Sequence, residues 1–193
     1  TRLGLWEEAM ASNEASMASA RAYAAKTRMN GVWDEQVHAM DYLVYAALQC
    51  ARDGRARSLV DELGSIHAVN YESPKVAYPV VAIPARFALE RRRWEEAMRL
   101  AAPSWLKLDP YPWAAAMLCF ARGMGAARLG QPAPARRELN RLRDLRSAVA
   151  AMRQKEWETP TEVLFLELEA WIALAEGRPP DSLDRLAQAV KLE

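Results

Sequence analysis

Gly4-Leu5-Trp6-Glu7-Glu8-Ala9 decides the reading of this chain, because its last four residues return unchanged as Trp94-Glu95-Glu96-Ala97 behind Arg92-Arg93. In both places a short turn is followed by an aromatic residue, two acids and a small residue. Carboxylates in a first helical turn are favoured by the unpaired amide groups and the dipole, so each copy reads as the start of a helix. Three further places share the layout of apolar helix, tight polar turn and second amphipathic helix. The five turns are Gly4-Leu5, Asp53-Gly54, Arg92-Arg93, Gly130-Gln131 and Gly177-Arg178. Their separations, about 50, 38, 38 and 47 residues, suit helical-pair repeats with lengthened helices or loops. After each turn a small residue follows three positions on, in the pairs Trp6/Ala9, Arg55/Ser58, Trp94/Ala97, Pro132/Ala135 and Pro179/Ser182. A small residue there lets the second helix press close to the first, because contact side chains set interhelix distance.

Composition agrees. Alanine supplies 37 of the 193 residues, against 18 valines, isoleucines and threonines together. Alanine loses no side-chain entropy in a helix, whereas β-branched residues lose rotamer freedom there. No stretch alternates apolar and polar residues long enough to be a strand, so the expected fold is all-α. A formal net charge of +1 makes the chain neither a polycation nor an acidic sink. Cys50 and Cys119 each stand alone in apolar, alanine-rich surroundings, which suits buried free thiols. No run of about 18 uncharged apolar residues is present, and no signal-type segment, so no membrane partner and a cytoplasmic location are expected. Arg2-Leu3-Gly4 reads as the end of a helix with its glycine, which implies an internal piece of a longer protein.

The spacing predicts a helix from Leu5 to about Lys26, with Met10, Asn13, Met17 and Ala20 along one side. Asp34 is expected to cap a helix to Arg52, and Arg55 to about Ile66 returns antiparallel. Lys75 to about Glu90 reads as helical, but Pro79 and Pro84 predict a helix that is short, bent or begun near Pro79. Trp94 to about Ala102 and Trp113–Leu129 follow. Pro132 or Pro134 opens a helix to about Lys155, Thr159-Pro160 opens one ending at Gly177, and Pro179-Pro180-Asp181 opens the last. The sum is one array over 1–193: a partial unit at about 1–30, then 34–70, 75–105, 113–155 and 159–193.

Two layouts, Arg2–Ala9 and Leu174-Ala175-Glu176-Gly177-Arg178-Pro179, resemble the middle of tetratricopeptide repeats, where a glycine-containing turn joins two helices. More narrowly, the runs His38–Tyr45, Ile83–Glu90 and Glu169–Glu176 resemble those of a group of uncharacterised bacterial tetratricopeptide-repeat proteins. The resemblance covers essentially the whole chain. It implies an α-α superhelix (solenoid) of about four hairpins behind an N-terminal orphan helix, with further repeats on both sides. It also implies a non-catalytic scaffold that binds a protein or peptide in a groove. The alternative is a helical regulatory or substrate-holding domain of a larger enzyme or regulator.

Candidate site residues follow from one helical face and from the turn register. His38, Asp41, Tyr42 and Tyr45 recur at helical spacing. They form either a small polar site, with Asp41 orienting His38, or an interhelical hydrogen-bonding cluster. With the turns in register, Asp41 and Val44, Arg86 and Leu89, Phe120 and Met124, and Glu167 and Trp171 face the inner surface of the stack. Arg86, supported by Tyr45 and Trp171, is then either an anchor for an acidic or aromatic peptide or a tie between hairpins. No serine or cysteine pairs with a base, so no catalytic residue is expected. His38 and His67 stand too far apart for a metal site, and no phosphate loop or dinucleotide motif implies a cofactor. Gly123-Met124-Gly125 lies within a helical pattern, which marks close packing against a neighbouring helix or a ligand.

Charge is uneven: residues 121–155 carry nine Lys/Arg against two acids, and 156–193 carry nine acids against three bases. The basic helix with Arg136, Arg137, Arg141, Arg143 and Arg146 lacks aromatics for base stacking, and the acidic segment would pack beside it. No nucleic-acid partner is expected. Self-association through open ends is, either at Trp6 or at Leu183, Leu186 and Val190.

Overall fold

A computed structural model describes residues 3–193, and all the regular structure in it is helical. Arg2, part of the sequence reading of the first turn, lies outside the described residues. The chain divides into two compact units. One comprises Thr1–Glu90 with Ala102–Lys107, the other Arg91–Ala101 with Leu108–Glu193.

The first unit holds α1 (Trp6–Thr27), α2 (Asp34–Gln49), α3 (Asp53–Gly64) and α4 (Pro74–Glu90). Helix α2 packs against α1, α3 and α4, and α3 also meets α4. Met40, Leu43, Val44, Leu59, Val76 and Ile83 are fully enclosed between them. Helix α1 turns Met10, Met17 and Ala20 inward, as its spacing predicts. Between α1 and α2, Gly31 (φ 94°) runs against the 68–69 backbone, where a Cβ would lie 2.9 Å from Ala68. Trp105 pins the returning segment by donating from Nε1 to the Ile66 carbonyl at 2.7 Å.

The second unit holds α5 (Trp94–Met98), α6 (Pro112–Arg128), α7 (Pro132–Ala151), α8 (Lys155–Ala175) and α9 (Pro179–Val190). Helix α6 packs on α5, α7 and α8, α7 on α8, and α8 on α9. The two glycines of α6 mark its closest approaches. A Cβ on Gly125 would lie 2.6 Å from the Trp94 carbonyl oxygen, and one on Gly123 would meet a Leu168 methyl at 2.6 Å.

One corner recurs six times among the described residues. Gly4, Ala51, Arg92, Gly130, Arg153 and Gly177 take left-handed backbone angles, with φ between 53° and 74°. The next residue leaves the helical region (from φ −80°, ψ 71° at Leu5 to φ −116°, ψ 64° at Arg178), and a helix starts directly after it. Three corners close with the same backbone bond, donated by Arg52 to Ala47, Gln131 to Ala126 and Arg178 to Ala173, at 2.8 to 2.9 Å. Those bonds occupy carbonyls that a helix end leaves unpaired.

Several expected boundaries move. The second corner is Ala51-Arg52, not Asp53-Gly54: the left-handed position admits alanine at a cost of about 1 kcal/mol, and Gly54 sits inside the first turn of α3. The small inward residue is accordingly Ala56, fully buried, while Ser58 is exposed. Asp34 is the first helical residue of α2 rather than its cap, which is Trp33. Helix α4 runs unbroken through Pro79 and Pro84. An interior proline costs about 3 kcal/mol, but burying Val76, Val80, Val81, Ile83 and Phe87 at roughly 1.5–3 kcal/mol each outweighs two of them. Helix α5 stops at Met98, short of Ala102, a residue that Pro103 biases away from helix. Helix α7 ends at Ala151, Arg153 turns left-handed, and α8 starts at Lys155 with Pro160 inside it. The Trp157 ring stacks on Trp113 at 3.9 Å and 7°, and the Thr161 hydroxyl donates to the Trp157 carbonyl, so the first turn is held despite the proline.

Candidate functional site

Within the first unit, the face of α2 that carries His38, Asp41, Tyr42 and Tyr45 divides into two lines. Asp41 and Tyr45 turn toward α4. There the Arg86 guanidinium donates from Nη1 to Asp41 Oδ1 at 2.6 Å, with the side chains only 20% and 13% exposed. The same guanidinium lies 5.3 Å from the centre of the Tyr45 ring, which in turn meets Trp6 edge-on at 5.4 Å. Tyr78 of α4 completes the cluster. Burial, then the Asp41 charge, hold its hydroxyl above the usual phenol range, against the lowering effect of Arg86. Burial would lower the Arg86 pKa, but Asp41 reverses this, and the net shift is upward. The arrangement ties α2 to α4 and leaves no unneutralised cation.

His38 and Tyr42 turn toward α1, their rings edge-to-face at 5.2 Å. They form one wall of an open trough of about 720 Å³ between α1 and α2. Its lining from α1 is small and polar, with Ser12, Ser16 and Ser19 exposed, and its buried small residues are Ala20 and Ala39. Its far end is closed by Tyr23 and Trp33, with ring centres 4.7 Å apart. Tyr23 is 48% and Tyr42 39% exposed, so both rings reach solvent in part. Glu35, the carboxylate in the lining, is paired with Lys75. Tyr23, Trp33 and the serines escape the sequence reading, although Ser12, Ser16, Ser19 and Tyr23 keep one helical face.

The remaining candidates belong to the second unit. Phe120 and Met124 are buried within it, while Glu167 and Trp171 are half-buried. Burial first, and Glu193 second, raise the Glu167 carboxyl above its ordinary range. Trp171 does not wait for a ligand: the Arg128 guanidinium lies 4.4 Å from its ring centre and 5.1 Å from that of Trp94. Arg122 binds Glu138 through Nε and Nη2 at 3.1 and 3.0 Å, linking α6 to α7. Cys119 beside them is pushed up to about 11, chiefly by burial and then by Glu138, so it stays a thiol at neutral pH.

The basic face of α7 is largely engaged. Arg136 pairs with Glu176, Arg141 with Glu138, and Arg146 with Glu162, while the Arg146 guanidinium also lies 4.2 Å from the Phe165 ring centre. A second cavity, about 300 Å³ among α7, α8 and α9, has as its charged lining Arg136, Glu169, Arg178, Asp181, Asp184 and Arg185, all but Asp184 in ion pairs. Among the described residues no group of three histidines, cysteines or carboxylates converges to hold a metal, and no helix is long and apolar enough to cross a membrane. No family model matches the chain, and no curated protein or solved structure is significantly similar to it.

Proposed function

We propose that this chain is a non-catalytic interaction scaffold of tetratricopeptide type, built as a solenoid of helical hairpins, which takes an extended peptide or a helix of a protein partner in the α1–α2 trough. The observation that carries the reading is the trough itself: small residues, serines and alanines, beside partly exposed aromatic rings. Such rings supply large contact area at little entropic cost, and small residues let a partner's backbone approach closely. The recurrent corner supports a repeat architecture, because one local geometry precedes α1, α3, α5, α7 and α9 in turn. Acid–base chemistry finds less support, since Asp41 serves Arg86 rather than His38.

A displayed peptide library selected on the purified chain tests this. Selected peptides are expected to lose at least about tenfold in affinity on Tyr42→Ala, a loss in the range of an aromatic anchor. Ser16→Trp, which plugs the trough from an exposed position, should do the same with an unchanged melting temperature. Peptides that bind both variants as well as the parent place recognition elsewhere and overturn the trough assignment.

A further inference from the structure

Helix α9 is built with its small residues inward and its large ones outward. Ser182 and Ala189 are buried, while Leu183 and Val190 are 68% and 70% exposed. Leu183, Leu186, Ala187 and Val190 follow at i, i+3, i+4 and i+7, one continuous apolar stripe along four residues of a short helix. Leu186, half-buried, marks where the stripe meets the packed side. An isolated exposed leucine needs no explanation, but an aligned stripe on an otherwise charged helix does.

The stripe is self-complementary. With two copies antiparallel and centred between Leu186 and Ala187, Leu183 of each faces Val190 of the other, and Leu186 faces Ala187. Asp184 and Lys191 lie seven residues apart on one flank. A two-fold axis brings that flank against itself with its direction reversed, so Asp184 of one copy lies beside Lys191 of the other, twice. Asp184 borders the cavity that holds Arg136, Arg178 and Arg185, yet neither it nor Lys191 has an ion-pair partner within the chain among the described residues, whereas Arg178, Asp181 and Arg185 are all paired. Two unspent opposite charges flanking a symmetric apolar seam are the pattern that sets antiparallel register between helices.

We propose that α9 is a homodimerisation helix, pairing antiparallel with α9 of a second copy through Leu183, Leu186, Ala187 and Val190, with Asp184–Lys191 pairs fixing the register. One helix pair buries less than the roughly 1,200 Å² of a standard interface, so the dimer is weak and concentration-dependent. The proposal is independent of the trough.

Sedimentation velocity on the whole chain tests it. The weight-average mass is expected to rise from 21.7 kDa in dilute solution toward twice that value when concentrated. Leu183→Arg should hold it at the monomer. Asp184→Lys sets lysine beside lysine across the seam and should weaken association about tenfold. Adding Lys191→Asp to that variant should restore most of the loss. All three changes fall on exposed positions, and an unchanged helical circular dichroism signal checks that each variant is folded. A monomer at every concentration overturns the proposal. So does a dimer indifferent to Leu183→Arg, or a double variant as weak as the single one.

Discussion

Arg86 in the first unit and Arg128 in the second face the same task, tying a helix to its neighbours, and solve it with different chemistry. Arg86 is largely enclosed and bound to a carboxylate; Arg128 is exposed and held by the faces of two indoles. The difference follows from desolvation. A guanidinium that leaves water needs an opposite charge, whereas one that stays wetted can be held by ring quadrupoles alone. Asp41 is therefore what permits Arg86 to be enclosed, and Trp94 and Trp171 are what give Arg128 a fixed place without enclosure.

Removing one member of the enclosed pair should be the costliest way to break that contrast. Arg86→Ala leaves the Asp41 carboxylate mostly buried and unpaired, and urea denaturation is expected to report a loss of about 2 to 3 kcal/mol. Replacing both residues with leucine should recover most of it, because no orphaned charge remains. A single variant as stable as the parent would mean that water reaches Asp41 freely. Arg128→Ala is expected to cost less, about 1 kcal/mol, in line with cation–π contacts at exposed sites, and to shift tryptophan emission as Trp94 and Trp171 lose their cover. A loss as large as that of Arg86→Ala would erase the distinction drawn between the two arginines.

The smallest effect belongs to the surface pairs of the second unit. Hydrogen bonds from Arg136 and then Arg178 lower the Glu176 pKa. A carboxylate lowered in the folded state contributes stability above its ordinary pKa and loses it as pH falls through the lowered value. Glu176→Gln should therefore flatten the acid limb of a melting-temperature profile, while costing under about 1 kcal/mol at neutral pH. An unchanged acid limb would show that solvent screens the cluster completely.

The all-α fold was legible because alanine content and the repeated Trp-Glu-Glu-Ala stretch are local signals that packing does not reverse. What misled was also local. Pro79 and Pro84 look like breakers and Thr159-Pro160 like a helix start, yet burial of α4 and the Trp113–Trp157 stack outweigh the lost hydrogen bonds. Gly54 looks like a turn, yet Ala51 makes it. The close-packing reading of Gly123 and Gly125 matches the structure, since a helical glycine has few other uses. Of the candidate site, Tyr45 beside Arg86 was anticipated, as either an anchor or a tie, whereas Trp171, expected with them, belongs to the second unit and is covered by Arg128. The trough was not, because a serine face on a helix carries no chemistry until a neighbouring helix supplies aromatic walls.

The recurrent corner also says where this protein tolerates change of length. Each corner spans a single left-handed residue and one non-helical residue, with backbone bonds from Arg52, Gln131 and Arg178 closing their corners, so an added residue would rotate the following helix out of its seat. The segments 65–73 and 99–111 are longer, and they are held at particular points, by the Trp105–Ile66 bond and by the bonds of Val32 to Ala68 and Asn70. Grafted epitopes or fluorophore tags belong at the exposed positions Tyr71 and Glu72, clear of those bonds, where lengthening costs mainly loop entropy.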